Sequence, residues 1–268
     1  MSTPLLTRYG PWAVVAGASE GLGAAFAEQL AARGLKLVLI ARRPEPLERV
    51  AERLRTEHHV EVRVVSLDLG APDLHERFTA AVAGLEIGLL VYDAAYSKVG
   101  EFTEVSLEDH WKTIEVNCRG PVTLSHELGR GMAARGRGGI LLMSSMAASQ
   151  GTPLVASYGA TKAFNLVLAE ALWEELGRRG VDVMACRAGA TRTPTYEASK
   201  PRRGVPIMEP REVAREALEA LGRTPSMVPG LFNRFVNFVM GRLLSRRLAI
   251  RIMGGATRKL YGPPSVTP

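Results

Sequence analysis

The chain has 268 residues, of which 46% are hydrophobic and 23% charged, a balance typical of a soluble globular protein with a full core. Its formal net charge of +7 comes from the C-terminal part, because no acidic residue follows Glu219 while eight basic residues do. Nucleic-acid binding is therefore disfavoured, since it requires basic residues spread over a docking face.

Short apolar runs rich in Val, Leu and Ile alternate with helical patterns along the whole chain. The predicted strands are residues 12–16, 36–40, 60–67, 88–92, 139–144 and 181–186, with a short seventh strand at 227–228. The predicted helices are residues 21–33, 46–57, 73–83, 107–134, 157–178 and 211–221. Continuous hydrophobicity within the strands is typical of parallel strands covered on both faces. We predict one α/β domain over residues 1–268, a doubly wound Rossmann-type parallel sheet of about seven strands with helices on both faces and a C-terminal helical extension.

A glycine-rich turn directly follows the first predicted strand and opens the first long helix. Its glycines permit a tight turn and let backbone N–H groups approach a pyrophosphate at the positive end of the helix. The alternative is a tight strand-to-helix turn without a ligand. The candidate cofactor contacts in this turn are Gly17, Ser19, Glu20, Gly21, Leu22 and Gly23.

The Gly-x-x-x-Gly-x-Gly spacing of this turn resembles the short-chain dehydrogenase/reductase family, and the resemblance extends from about residue 12 to residue 230. In dinucleotide folds that prefer NAD, an acidic residue at the end of the second strand binds the ribose 2′-hydroxyl. By family spacing Ala41 takes that position here, and Arg42 and Arg43 follow it. A guanidinium group can bind a 2′-phosphate, so we predict NADP(H) over NAD(H). Two solvated arginines at a strand end are the alternative.

Other positions resemble the family's remaining cofactor contacts. Asp68, with Leu69 beside it, resembles the aspartate that binds the adenine, although an aspartate there can equally cap the next turn. After the sixth strand, Thr193 lies in register with the threonine that binds the nicotinamide carboxamide. The further candidate contacts are Gly189 and Thr191 in that segment, and Ala94 and Ala95 after the fourth strand.

Two of these segments depart from the family pattern. Ala188 replaces a proline before Gly189, and Asp93 and Ala95 stand in a segment that usually reads Asn-Asn-Ala-Gly. Aspartate cannot donate a hydrogen bond as an amide does. We interpret these changes as variation within a structural motif.

The predicted helix at 157–178 carries a tyrosine and a lysine four residues apart, adjacent on one face. A nearby ammonium group lowers the pKa of a phenol and makes it a usable acid–base catalyst. Tyr158 also follows Ser145 by 13 residues and Asn117 by 41, the separations of the family's Asn–Ser–Tyr–Lys tetrad. The resemblance implies that Tyr158 transfers the proton and Ser145 binds the reacting oxygen. It also implies that Lys162 binds the nicotinamide ribose and that Asn117 orders a water. Ser144 is the alternative to Ser145.

Substrate selection in the family comes from the loop after the sixth strand and from the C-terminal segment. Residues 191–210 are predicted to form a loop that acts as a lid, with Tyr196, Ile207, Met208 and, from another segment, Tyr96 as candidate pocket walls. Residues 230–262 form a basic amphipathic extension with one apolar helical face. That face has three open interpretations: packing on the domain or on a second subunit, roofing an apolar pocket, or peripheral contact with a membrane.

The two cysteines and the lack of a recognisable targeting signal indicate the cell compartment. Cys118 and Cys186 form no ligand pattern, so we expect reduced, buried thiols and no metal. We recognise no signal peptide and no run of ~20 apolar residues, which indicates a cytoplasmic protein. The resemblance implies a homodimer or homotetramer through the helices predicted at 107–134 and 157–178.

The sequence therefore predicts an oxidoreductase that transfers a hydride between NADP(H) and a small-molecule carbonyl compound, most consistent with reduction of a hydrophobic ketone. One alternative is an alcohol dehydrogenase that works in the oxidative direction. Another is a non-catalytic NADP(H)-binding sensor or scaffold, which should lack part of the tetrad.

Overall fold

A computed structural model describes residues 5–198 and 206–261 of the chain. Seven parallel strands form one sheet in the order β3-β2-β1-β4-β5-β6-β7. The strands are β1 (Trp12–Ala16), β2 (Lys36–Ala41), β3 (Val62–Ser66), β4 (Ile87–Tyr92), β5 (Gly138–Ser145), β6 (Val181–Ala188) and β7 (Ser226–Met227). This order confirms the predicted doubly wound Rossmann-type sheet.

Helices cover both faces of the sheet. They are α1 (Leu5–Tyr9), α2 (Gly21–Ala31), α3 (Pro44–His58), α4 (Leu74–Val82), α5 (Leu107–Ile114), α6 (Gly120–Arg135), α7 (Ala156–Gly177), α8 (Pro194–Ala198), α9 (Pro210–Ala220), α10 (Leu231–Phe238) and α11 (Arg246–Tyr261). Two apolar clusters lie on opposite sides of the strands. One contains Phe26 of α2, and the other contains Phe78 of α4 and Leu124 of α6. Every residue of β1 and β4 is buried, as the continuous apolar runs predict.

The single helix predicted at 107–134 is interrupted by a π-helical turn at Glu115–Arg119. The backbone of Gly120 passes so close to β4 that a Cβ atom there would lie 2.0 Å from the Tyr92 hydroxyl oxygen. That hydroxyl donates a 2.6 Å hydrogen bond to the Val116 carbonyl, inside the π turn. Such turns recur at functional sites because they redirect one or two side chains. Here the redirected residue is Asn117, which is fully buried.

The predicted lid is not a plain loop throughout. It contains the short helix α8, and it returns to pair Thr191 with Met208 in an isolated parallel bridge. Residues 199–205 of the lid lie outside the described part of the chain. Of the two unpaired cysteines, Cys186 is buried as expected, whereas Cys118 is only partly buried.

The C-terminal extension is helical, but α10 turns its polar side toward the domain. Asn233 is buried against Gly189, while Phe232 and Phe235 are exposed by 53% and 66%. Helix α11 packs over residues 149–153, where Arg246 donates a 2.6 Å hydrogen bond to the Ser149 carbonyl. None of the helices in the described ranges is long and apolar enough to cross a membrane.

Candidate active site

The candidate residues gather at the carboxyl edge of the sheet, around the point where the strand order reverses between β1 and β4. Parallel strands deliver their C-terminal ends to this edge, and the crevice there is the usual ligand site of open α/β sheets. Within residues 5–198 and 206–261, no group of three or more His, Cys, Asp or Glu side chains could hold a metal ion.

The glycine turn has the backbone geometry that a bound pyrophosphate requires. Gly17 has a φ of 95°, and a Cβ atom there would lie 2.6 Å from the Ala94 amide nitrogen. A Cβ atom at Gly23 would lie 2.2 Å from the Gly17 carbonyl oxygen. The residue before α2, Glu20, makes no side-chain cap to the helix, so the amides of Gly21 and Leu22 are not capped by its carboxylate. The turn therefore fits a dinucleotide phosphate at the positive end of α2.

The two arginines after β2 differ in their partners. Arg43 donates a 2.7 Å hydrogen bond to the Glu20 carboxylate and so ties the end of β2 to the glycine turn. Arg42 is exposed, and no carboxylate of the described residues lies within 4.0 Å of it. Arg42 is therefore the guanidinium at this edge that can bind a further anion without breaking an ion pair.

The two candidates after β3 have clear structural contacts. Asp68 accepts a 2.9 Å hydrogen bond from the Gly70 amide, which is the turn-capping alternative. Leu69 is buried in the core cluster. The cap occupies one carboxylate oxygen, so contact of Asp68 with an adenine stays a prediction.

The segment after β6 folds back onto the glycine turn. A Cβ atom at Gly21 would lie 3.0 Å from Cγ2 of Thr193, so these two predicted contacts are neighbours. The buried Thr191 hydroxyl donates a 3.1 Å hydrogen bond to the Gly189 carbonyl. The segment holds this position although Ala188 replaces the family's proline, because Ala188 still pairs with Ser145 at the end of β6.

Two buried hydrogen bonds of opposite direction join β5 to α7; we call them the β5–α7 clamp. The Ser144 hydroxyl donates to the Lys162 carbonyl at 2.7 Å, and the Lys162 ammonium donates to the Met143 carbonyl at 2.8 Å. The Ser144 hydroxyl therefore has a structural role. The Ser145 hydroxyl accepts a 3.1 Å hydrogen bond from the Ala147 amide, and its side chain lies close enough to the Tyr158 phenol to lower the pKa of that phenol. Ser145, and not Ser144, therefore faces the tyrosine.

Burial dominates the electrostatics of the tyrosine–lysine pair. It raises the pKa of Tyr158 to about 12, an effect that the nearby Ser145 side chain opposes. Burial also lowers the pKa of Lys162 to about 8, while the negative charge of Asp93 opposes that change. The Lys162 nitrogen lies 5.6 Å from the centre of the Tyr158 ring. In this structure the group that lowers the pKa of Tyr158 is Ser145, and not Lys162 as the sequence pattern predicts.

The side-chain amide of Asn117 makes three hydrogen bonds that fix the position of the residue. Its amide nitrogen donates to the Tyr96 carbonyl at 2.9 Å and to the Thr161 hydroxyl at 3.0 Å, and its amide oxygen accepts from the Tyr96 amide at 2.7 Å. These bonds connect the π turn, the segment after β4 and α7. Because the side chain is so engaged, the predicted ordering of a water would fall to main-chain groups of the turn.

Sequence reasoning missed two side chains near this pair. Burial raises the pKa of Asp93 to about 6, and the attraction of Lys162 and a hydrogen bond from the Gly23 backbone oppose that rise. Asp93 thus links the glycine turn electrostatically to the lysine. An acid directly after a buried strand was the available signal. Tyr261, at the end of α11, lies close enough for its negative form to raise the pKa of Tyr158. No local pattern indicates that contact.

Comparison with known proteins places the chain in a family. Residues 11–204 match the family described as short chain dehydrogenase. The chain is 33% identical over 236 residues to a 7β-hydroxysteroid dehydrogenase of Mediterraneibacter gnavus, an alignment that covers 86% of this chain and 90% of that protein. It is 31% identical over 242 residues to a very-long-chain 3-oxoacyl-CoA reductase of Mus musculus, covering 88% and 77%.

Solved structures agree with these relatives. A structure from a study of 7β-hydroxysteroid dehydrogenase stereoselectivity superimposes with a TM-score of 0.88 at 33% identity, covering 94% of this chain and 99% of that one. A short-chain dehydrogenase from Sphingobium yanoikuyae, in complex with NADPH, superimposes with a TM-score of 0.77 at 29% identity, covering 87% and 94%. The resemblance found in the sequence is confirmed, and the chain belongs to the short-chain dehydrogenase family of oxidoreductases.

Proposed function

We propose that this protein is an NADP(H)-dependent reductase of a hydrophobic ketone, with Tyr158 as the proton donor. The observation that carries the proposal is the proximity of the Ser145 side chain to the Tyr158 phenol, next to the β5–α7 clamp. Both hydroxyl groups lie at the sheet edge that also carries the glycine turn and Arg42. A serine and a tyrosine so placed can both hydrogen-bond one carbonyl oxygen.

The chemistry divides between cofactor and protein. The nicotinamide ring, when bound, supplies a hydride to the carbonyl carbon. Tyr158 gives its phenolic proton to the carbonyl oxygen, which completes the two-electron reduction to an alcohol. Because the pKa of Tyr158 is about 12, the phenol is protonated throughout the neutral range. Ser145 stabilises the negative charge that develops on the oxygen.

Lys162 and Asn117 assist this step without contacting the carbonyl group. Lys162 binds the nicotinamide ribose hydroxyls, and its positive charge attracts the carboxylate of Asp93. Its pKa of about 8 keeps most of it charged at neutral pH. Asn117 holds the π turn whose main chain orders the water that returns a proton. The contacts made by Ser19, Leu22, Asp68, Leu69, Ala94, Ala95, Gly189, Thr191 and Thr193 complete the proposed cofactor site.

The hydrophobic character of the substrate rests on three observations. Two relatives are named for a hydroxysteroid and a very-long-chain oxoacyl compound. A small cavity that adjoins Tyr158 is lined by apolar Phe102, Val105 and Leu154 on one side and by polar side chains, such as Lys98 and His110, on the other. Helix α11 also brings Tyr261 near Tyr158, which supports the interpretation of the extension as a pocket roof. Oxidation of the matching alcohol uses the same groups in reverse. A non-catalytic role is disfavoured because all four tetrad residues are present.

Self-association of the protein is supported by exposed apolar side chains on two neighbouring helices. Trp111 on α5 is 57% exposed and Val167 on α7 is 63% exposed, which is unusual for large apolar side chains of a monomer. We infer a homodimer or homotetramer through these helices, in the cytoplasm. The exposed phenylalanines of α10, beside basic residues, support a peripheral contact of the extension with a membrane.

Replacement of Arg42 should abolish the preference for NADPH. Fluorescence titration of the unmutated protein should show tighter binding of NADPH than of NADH, because only NADPH carries the 2′-phosphate. Arg42→Ala should make the two dissociation constants similar by weakening NADPH binding roughly tenfold or more, as expected when a charge-assisted hydrogen bond is lost. Arg49→Ala, which removes an exposed arginine of α3, is the matched control and should change neither constant. Equal affinities in the unmutated protein would refute the assignment.

Replacement of Tyr158 should slow ketone reduction without weakening NADPH binding. Tyr158→Phe keeps the ring but removes the proton donor, so turnover of any ketone substrate should fall by roughly 10²–10⁴-fold. The dissociation constant for NADPH should stay within a small factor, measured by the same titration. Turnover followed at the NADPH absorbance band provides the rate. If the Tyr158→Phe variant still turned over at a tenth of the original rate, Tyr158 would be excluded as the proton donor.

Charged substitutions should distinguish the two exposed apolar surfaces. Sedimentation velocity should give twice or four times the chain mass of 29.0 kDa, and Val167→Glu on α7 should shift it to one chain mass. Phe235→Glu on α10 is the matched control and should leave the assembly intact while abolishing co-flotation with anionic vesicles. A monomeric unmutated protein, or dissociation caused by Phe235→Glu alone, would contradict this placement of the interface.

A further inference from the structure

A carboxylate stands directly after β4, at a position where the family pattern has an amide. The backbone amide of Asp93 donates a 2.9 Å hydrogen bond to the Ala16 carbonyl at the end of β1. A Cβ atom at Gly23 would lie 3.1 Å from the Oδ2 atom of Asp93. Because Gly23 is the third residue of α2, the carboxylate lies against the first turn of that helix, at its positive end.

The proposed cofactor site uses the same end of α2. The glycine turn that fits a dinucleotide phosphate opens this helix, and Ala94, the residue after Asp93, packs against it. A Cβ atom at Gly17 would lie 2.6 Å from the Ala94 amide nitrogen. The pyrophosphate of a dinucleotide is negatively charged, so an ionised carboxylate at the same helix end repels it. An asparagine side chain at this position would be neutral.

The surroundings of Asp93 favour its neutral form even without a cofactor. Burial raises the pKa of Asp93 to about 6, and the attraction of Lys162 and the Gly23 backbone oppose that rise. A bound dinucleotide adds negative charge and excludes water from the crevice, and both changes favour the neutral carboxyl group further. Since the pKa of Asp93 starts near neutrality, a modest additional rise is enough to protonate it at neutral pH.

Three titratable side chains of the described residues interact with the charge of Asp93. Lys162 on α7 is the cation among them: burial lowers its pKa to about 8, and Asp93 opposes that change. Burial is the main cause of the raised pKa of Tyr158 on α7 and of Cys186 on β6, and the negative charge of Asp93 adds to both. A neutral Asp93 would therefore make the Tyr158 phenol a better proton donor.

We propose that Asp93 takes up a proton from solvent when NADP(H) binds, so that cofactor binding changes the charge beside Tyr158 and Lys162. This inference rests on the proposed reductase function. The ionised carboxylate belongs to the cofactor-free protein, where it is the counter-ion of Lys162. The neutral carboxyl group belongs to the cofactor complex, where it repels neither the pyrophosphate nor the negative charge that forms on Tyr158.

A permanent counter-ion role for Asp93 makes a different prediction. In that role the carboxylate stays ionised beside Lys162 whether or not the cofactor is bound, and it exchanges no proton with the solvent. The two roles are therefore separated by counting the protons that the protein takes up during binding.

The test is isothermal titration calorimetry of NADPH binding at about pH 6.5, in two buffers of different ionisation enthalpy. The difference between the two binding enthalpies gives the protons taken up per NADPH. The unmutated protein should take up about 0.5 proton or more in excess of Asp93→Asn, because Asp93 changes from mostly ionised to mostly neutral. Protons exchanged by the 2′-phosphate of NADPH cancel in this comparison. Asp73→Asn, at the exposed N-cap of α4, is the matched control and should behave as the unmutated protein.

Infrared spectroscopy identifies the group that takes up the proton. The difference spectrum between NADPH-bound and free unmutated protein should contain the carbonyl-stretch band of a protonated carboxyl group, and Asp93→Asn should lack this band. Equal proton uptake by the unmutated protein and Asp93→Asn, or no such band in the unmutated protein, would overturn the inference while leaving the NADP(H) site in place. A protein that binds no NADPH would instead contradict the proposed function, and this inference with it.

Discussion

The β5–α7 clamp is the interaction on which the geometry of the site depends. A buried ammonium group needs a polar partner, and Lys162 finds one in the Met143 carbonyl at 2.8 Å. The Ser144 hydroxyl returns a bond to the Lys162 carbonyl, so the strand and the helix are joined in both directions. With the helix register so defined, the next residue of β5, Ser145, meets Tyr158, which lies one turn before Lys162 on α7.

The parallel sheet then brings the other components to the same edge. β1 supplies the glycine turn, β2 supplies Arg42, and β4 supplies Asp93, which contacts the backbone of Gly23 and attracts Lys162. The cofactor cradle and the proton-transfer pair are therefore coupled through one carboxylate. Low local dielectric strengthens that coupling, because neither Asp93 nor Lys162 is well solvated. The glycine turn proposed to bind phosphate and the pair proposed to transfer the proton therefore belong to one electrostatic unit.

Much of this arrangement was predictable because it depends on short-range sequence patterns. Continuous apolar runs located the strands, and the spacing of Asn117, Ser145, Tyr158 and Lys162 identified residues that the structure does bring to one edge. The π turn was not predictable, since it arises from the approach of Gly120 to Tyr92 across two elements. The contact of the part-buried Arg187 with Asn237 and the outward apolar face of α10 depend on how the C-terminal extension packs. Helical periodicity defines an apolar face but not the side that faces the domain.

The most direct test of this account compares the two adjacent serines at the end of β5. In single-turnover experiments with saturating NADPH and a ketone substrate, Ser145→Ala should slow hydride transfer by roughly 10²-fold or more, as for loss of one donor to a developing oxyanion. Its melting temperature should be nearly unchanged. Ser144→Ala should retain the rate but lower the free energy of unfolding by about 1–3 kcal/mol, because the buried Lys162 carbonyl loses its partner. Slow hydride transfer in Ser144→Ala together with normal transfer in Ser145→Ala would contradict the account.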